Sequence, residues 1–128
     1  MKLLLDTHAF IWWDESPGRL GAAAHAACLN PSNELALSVA SVWEIQLKRM
    51  IGKLTLRRPL RDLLDDQGRQ NGLEILPVRV EHILGLDALP FHHREPFDRL
   101  LIAQAKVEGW ILVSQDGALA QYGLPMLW

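Results

Sequence analysis

Lys2-Leu3-Leu4-Leu5-Asp6-Thr7 opens the chain with an apolar run that stops at a carboxylate. Three consecutive leucines are too few for the apolar region of a signal peptide or for a membrane span. They suit a central strand covered on both faces, which reads as an unbroken apolar run rather than as an alternation. A carboxylate directly after such a strand stands at its C-terminal edge, where open parallel sheets keep their ligand sites. A lone Asp in that place is ordinarily the cap of the following helix. Three further acids in similar settings downstream give Asp6 a second reading.

Outward from this strand, Thr7 to Trp13 reads as a short helix capped by Thr7 or Asp6, and Asp14 to Gly18 as a break. Leu20 to Leu29 is an alanine-rich helix ended by Asn30-Pro31, and Glu34 to Ser38 is a second strand. Ser38 to Met50 follows as a helix closed at Gly52, with Glu44 among its apolar positions. Pro59 opens a helix that reaches Asn71-Gly72. Leu73 to Pro77 is a third strand, Val80 to Leu86 a short helix, and Leu89 to Pro96 a loop rich in Pro and His. Phe97 to Glu108 is the strongest helical stretch, stopped by Gly109. Trp110 to Ser114 is a fourth strand, Gln115 to Ala120 a last short helix, and Leu124 to Trp128 an edge strand. Strands alternating with helices predict an α/β fold: a three-layer sandwich with a mainly parallel central sheet flanked by helices.

A length of 128 residues suits one domain over 1–128 with a substantial core. Apolar residues at 49% and charged residues at 22% are ordinary for a globular protein and argue against disorder. A formal net charge of −2 announces no nucleic-acid partner, so local charge has to carry any such argument. Cys28 is the only cysteine, which excludes an internal disulfide and a thiolate metal cage; a small buried hydrophobe is expected there. With no targeting segment and no apolar run of membrane length, the expected location is the cytoplasm, with no membrane partner.

Four carboxylates stand apart: Asp6, Glu44, Asp98 and Asp116. Asp6 and Asp116 follow apolar strands, and Glu44 and Asp98 fall in the first turns of helices. In a parallel sheet all four arrive at one C-terminal edge. Like charges about 4 Å apart repel by roughly 4 kcal/mol at an effective dielectric of 20. Such a cluster therefore needs protonation or a neutralising cation. All-oxygen donors select a hard ion, Mg²⁺ or Mn²⁺, which retains waters, accepts phosphate oxygens and can activate water for phosphodiester cleavage. Glu15, Asp62, Asp65, Asp66, Glu74, Glu81, Asp87 and Glu108 are read as solvated.

These motifs carry a family resemblance. Lys-Leu-Leu-Leu-Asp-Thr-His at residues 2–8, Ser-Val-Trp-Glu-Ile at 41–45, Pro-Phe-Asp-Arg-Leu-Leu-Ile-Ala-Gln-Ala at 96–105 and Leu-Val-Ser-Gln-Asp at 112–116 resemble a PIN-domain protein. More narrowly, they resemble the VapC-type toxins of bacterial toxin–antitoxin pairs. Each motif alone is weak; their order and spacing together are specific. The resemblance implies a PIN-like sandwich and a metal-dependent endoribonuclease that leaves a 5′-phosphate. It also implies a homodimer, and a cognate antitoxin whose C-terminal segment blocks the acidic site. By the same resemblance, Asp6, Glu44, Asp98 and Asp116 form the catalytic and metal-binding quartet, with Mg²⁺ or Mn²⁺ as cofactor. Thr7 and Ser114 stand where a hydroxyl supports the site. The family often has Thr in place of Ser114, so the hydroxyl is kept in a different side chain.

His8 follows Asp6 directly but projects about 100° from it on a helix. Its apolar neighbours make a packed, hydrogen-bonded histidine the expectation, ahead of a ligand or base. His92, His93 and Arg94 precede the Asp98 helix, within reach of RNA or simply solvated. Arg99 is expected to pair with the acids or a phosphate, or to form a surface ion pair. Residues 45–61 carry Lys48, Arg49, Lys53, Arg57, Arg58 and Arg61 with no acid among them, a local positive surface suited to a phosphate backbone. Arg57, Arg58 and Arg99 are accordingly the candidate RNA-binding residues, and charge reversal at Arg57 and Arg58 is expected to weaken RNA binding. Adjacent Trp12 and Trp13 cannot share one helix face, which leaves at least one available to a partner surface.

Two other classes compete with this reading. A phosphatase using Asp6 as its nucleophile wants a second Asp two positions on, where His8 stands. A non-catalytic α/β interaction module, or a metal-binding regulatory one, is the alternative. The regulatory form wants a lysine at a later strand end, but Ser114 stands there and Lys106 lies inside a helix.

Overall fold

Lys2–Leu5 forms β1, the middle strand of a five-stranded sheet. Its three leucines are fully buried, and the pleat sends Leu3 and Leu5 to one face and Leu4 to the other. The computed structural model describes residues 1–92 and 95–128. β2 (Glu34–Ser38) and β4 (Ile111–Val113) flank β1, with Leu5 opposite both Leu37 and Val113. β3 (Glu74–Leu76) pairs with β2 and β5 (Met126–Leu127) with β4, giving the order β3-β2-β1-β4-β5. All four pairings are parallel, so the sheet is wholly rather than mainly parallel among the described residues.

Helices cover both faces of the sheet, which is why β1 has no polar side. On one face, α1 (Thr7–Glu15), α2 (Ala22–Leu29) and α4 (Leu60–Asn71) bring Phe10, Trp13, Ala24 and Leu63 onto Leu3, Leu5, Leu35 and Leu37. On the other, α6 (Pro96–Glu108) brings Leu101, Ile102 and Ala105 onto Leu4, Ala36 and Leu112. α3 (Val39–Met50) places Ile45 in the first cluster and packs against both α1 and α6. α5 (Val80–Leu84) leans on α6, where buried His82 accepts the Arg79 N–H at Nδ1 (2.9 Å) and meets Glu108 through Nε2 (2.9 Å). Gly72 and Gly109 close α4 and α6 in the left-handed region, at φ 66° and 73°, where a side chain would be strained.

Several boundaries differ from the sequence reading. α1 runs on to Glu15, and the break after it contains a 3₁₀ turn at Pro17–Arg19. The helix expected at Gln115 to Ala120 is a 3₁₀ turn at Gly117–Tyr122, capped by Asp116 and closed at Gly123 in the left-handed region. Cys28 is buried as expected, and burial pushes its thiol pKa up to about 11. Four acids read as solvated hold bonds or ion pairs instead. Glu15 accepts the Arg57 N–H (2.6 Å), Asp66 pairs with Arg58 and Arg69, and Arg79 pairs with both Glu81 (3.5 Å) and Glu108 (3.0 Å). Among the described residues no helix is long and apolar enough to cross a membrane.

Candidate active site

The chain runs from β1 to β2 and β3, then crosses to β4 and β5 on the other side of β1. A crevice therefore opens beyond the C-terminal ends of β1 and β4. Asp6 leaves β1 at this point. Its N–H donates to Val113 O (3.0 Å), and its carboxylate accepts the Ala9 N–H (2.7 Å) as the cap of α1. Ser114, the residue after β4, hydrogen-bonds the Asp6 carboxylate through its hydroxyl and accepts the Asp116 N–H at Oγ (3.1 Å). A cavity of about 380 Å³ opens here, lined by Asp6, His8, Trp12, Gln115, Asp116 and Gly117. Asp116 itself caps the following turn by accepting the Ala118 N–H (2.9 Å).

Ser38 ends β2 and caps α3, which carries Glu44 back over the same edge. Glu44 is only 4% exposed, on the inner side of α3 as expected. Oε1 accepts the Thr7 hydroxyl (2.5 Å), and Oε2 meets Lys48 Nζ (2.5 Å). That ion pair holds the Lys48 ammonium above its ordinary pKa, and the charges of Glu95 and Asp98 act in the same direction. Asp98 thus stands in the first turn of α6 near this pair. Glu95 caps the same helix by accepting the Phe97 and Asp98 N–H groups (3.3 and 2.6 Å).

The acids form two groups joined at their middle. Asp6 and Asp116 share the cavity, while Glu44, Lys48, Glu95 and Asp98 interact beside it. Asp6 links them: burial pushes its pKa above the ordinary value and the charge of Glu44 adds to that. The Ser114 hydroxyl, the Ala9 N–H and His8 pull the other way. Among the described residues, no three His, Cys, Asp or Glu side chains are gathered as a ready metal cage. The donor set is nevertheless all oxygen, the kind that a hard cation accepts from one or two carboxylates while water completes its coordination.

Sequence reasoning missed two residues here. Lys48 was assigned to the basic run, although its spacing four residues after Glu44 is the signal of a helical ion pair. Glu95 was passed over, although it stands directly before the proline that opens α6.

Other expectations are corrected. His8 is exposed rather than packed, its ring 5.6 Å from that of Trp12, because the first turn of α1 faces the crevice. Arg99 is 7% exposed and makes neither an acidic pair nor a surface one among its described contacts. Its guanidinium donates to Pro90 O (2.8 Å), Tyr122 Oη (3.3 Å) and Leu89 O (3.4 Å), and lies 4.2 Å over the Phe91 ring. It brackets the loop before α6. Arg58 is held between Asp14 (2.6 Å) and Asp66, whereas the Arg57 side chain is exposed. His92 sets its ring edge-on against Tyr122 (4.9 Å); His93 and Arg94 lie outside the described residues.

The PIN domain family profile matches residues 3–124. The chain is similar to Ribonuclease VapC22 of Mycobacterium tuberculosis, 29% identical over 124 residues that cover 96% of this chain and 93% of that one. Its fold is similar to that in the crystal structure of VapBC2 from Rickettsia felis bound to a promoter DNA fragment. There the TM-score is 0.72 at 17% identity, over 98% of this chain and 97% of that one. DNA-bound VapBC from Salmonella typhimurium shares it with a TM-score of 0.66 at 18% identity, over 98% and 96% of the two chains. With a parallel sheet in this order, acids along its C-terminal edge and a profile match across nearly all of its length, the chain belongs to the PIN domain family.

Proposed function

We propose that the chain is a divalent-metal-dependent endoribonuclease, the toxin of a toxin–antitoxin pair that acts on RNA in the cytoplasm. The observation that carries this reading is Asp6, a half-buried carboxylate at the crossover of the sheet, next to Glu44 and open to a cavity shared with Asp116. A relative that bears the name ribonuclease supports it. Mg²⁺ or Mn²⁺, when bound, supplies an activated water and neutralises charge on the leaving oxygen.

The chain's own residues hold and aim the acids. Asp6 and Asp116 present oxygens to the cavity, and Asp98 and Glu44 complete the donor set from the neighbouring helices. Ser114 orients Asp6, and Thr7 fixes one oxygen of Glu44. Lys48 balances the other Glu44 oxygen, so the site is not four bare charges.

The two solved structures described above are of VapBC bound to DNA. We accordingly assign this chain a cognate antitoxin whose C-terminal segment covers the acidic edge. A homodimer is part of the same reading, and the exposed apolar stripe of Val39, Trp43, Leu47 and Met50 along α3 suits a protein partner.

The test is RNA cleavage by the purified chain with Mg²⁺ or Mn²⁺, with and without EDTA, beside folded Asp6→Asn and Asp98→Asn variants. Metal-dependent cutting that both variants lose is the expected result. Cleavage at the wild-type rate in either variant overturns the metal assignment. A chain that neither cuts RNA nor binds the metal turns the reading to the non-catalytic interaction module.

A further inference from the structure

The acidic cavity has an aromatic wall on α1. His8 and Trp12 lie one turn apart on α1, with ring centroids 5.6 Å apart and planes tilted by 40°. Both line the cavity with Asp6 and Asp116. Trp13, next in the chain, is buried and donates its indole N–H to Gln67 (3.1 Å), whereas Trp12 is half-buried at the edge of the same core and borders the cavity. The Trp12 indole is held from outside the cavity too. The Arg19 guanidinium lies 4.4 Å over its ring, and the Trp128 ring meets it edge-on at 5.9 Å. An aromatic surface braced in this way is organised before a ligand arrives.

We propose that Trp12 and His8 form a stacking surface for a base of single-stranded RNA, holding the adjoining phosphate over Asp6 and Asp116. The proposal rests on the ribonuclease reading and names the part of the substrate that this cavity takes. Unpaired RNA bases are recognised by stacking on aromatic rings, whereas paired bases inside an A-form duplex are out of reach. Stacking tolerates any base, so this wall supplies affinity and register rather than sequence preference. Gln115, exposed on the same cavity, carries an amide donor and acceptor for the polar edge of a base. Duplex RNA therefore gains nothing from the wall.

The experiment measures fluorescence anisotropy of labelled oligoadenylate, and of an abasic ribose-phosphate oligomer of equal length, on the non-cleaving Asp6→Asn chain. Adding Trp12→Ala is expected to weaken oligoadenylate roughly 5- to 100-fold. Trp12→Phe recovers most of that loss, and the abasic oligomer binds every variant alike. The salt dependence is unchanged, because no phosphate contact is removed. His8→Ala, at an exposed position, carries the same test if Trp12→Ala fails to fold, with a smaller loss confined to oligoadenylate. Unchanged oligoadenylate binding in these variants, or equal loss for both oligomers in folded protein, overturns the proposal and leaves the ribonuclease reading standing. A parent chain that cuts no RNA and binds neither oligomer overturns both.

Discussion

Asp6 is placed by local chemistry and strained by tertiary chemistry. One oxygen caps α1 through the Ala9 N–H, while the carboxyl group is half-buried beside Glu44. Burial, and then the Glu44 charge, raise its pKa above the ordinary 3.8. A group with a raised folded value costs folding free energy when ionised. That cost is absent below 3.8, grows as pH rises toward the folded value, and is complete above it. Asp6→Asn keeps the shape and the cap and removes the charge. In metal-free buffer at neutral pH the variant is expected to melt a few degrees above the wild type, with the difference vanishing in acid. Thermal melts in EDTA across pH check this, and an equal or lower melting point at neutral pH contradicts it. The part of the site read from sequence shares this local character: a carboxylate after an apolar strand is visible in the strand itself. Arg99 was not legible, because its partners are main-chain carbonyls of a loop whose path depends on the whole fold.

Among the elements, β1 was legible because a strand covered on both faces leaves an unbroken apolar run, and α4 and α6 because Gly72 and Gly109 close them. The pairing of β5 was not, since nothing in Met126–Leu127 specifies a parallel partner fourteen residues back. What holds that strand is visible in space. Trp128 O accepts the Ala24 N–H (3.0 Å), and a Cβ on Gly21 would stand 2.4 Å from the same oxygen. Gly21 is thus required by close approach of the main chain rather than by its backbone angles. Gly21→Ala has to displace the end of the chain, including the ring that braces Trp12, and is expected to cost about 1–3 kcal/mol. Gly18→Ala, with nothing within 4 Å of the added carbon, is the control and should be near neutral. Urea unfolding of the two variants decides; equal midpoints would show that the C-terminal contact carries no stability.

At the scale of the molecule, charge is where sequence and fold part furthest. A run of six cations without an acid reads as one positive surface, yet acids outside the run take two of its members. Asp14 and Asp66 take Arg58, and Glu44 takes Lys48. Arg49, Lys53, Arg57 and Arg61 stay exposed. Neighbours in the run should therefore fail in different ways. Arg57→Gln is expected to leave the urea midpoint unchanged and to lower the salt slope of RNA binding by about 0.7, the contribution of one phosphate contact on a single strand. Arg58→Gln should lower the urea midpoint, because it leaves Asp14 and Asp66 facing each other without their shared cation. Its salt slope should stay that of the wild type, since its charge is already spent on those two carboxylates. Binding titrations over a series of salt concentrations, with unfolding curves on the same preparations, separate the two. If Arg57→Gln keeps the wild-type slope, the exposed cations are not the path of the RNA backbone, and the phosphates must be met nearer the cavity, where Arg19 lies over Trp12.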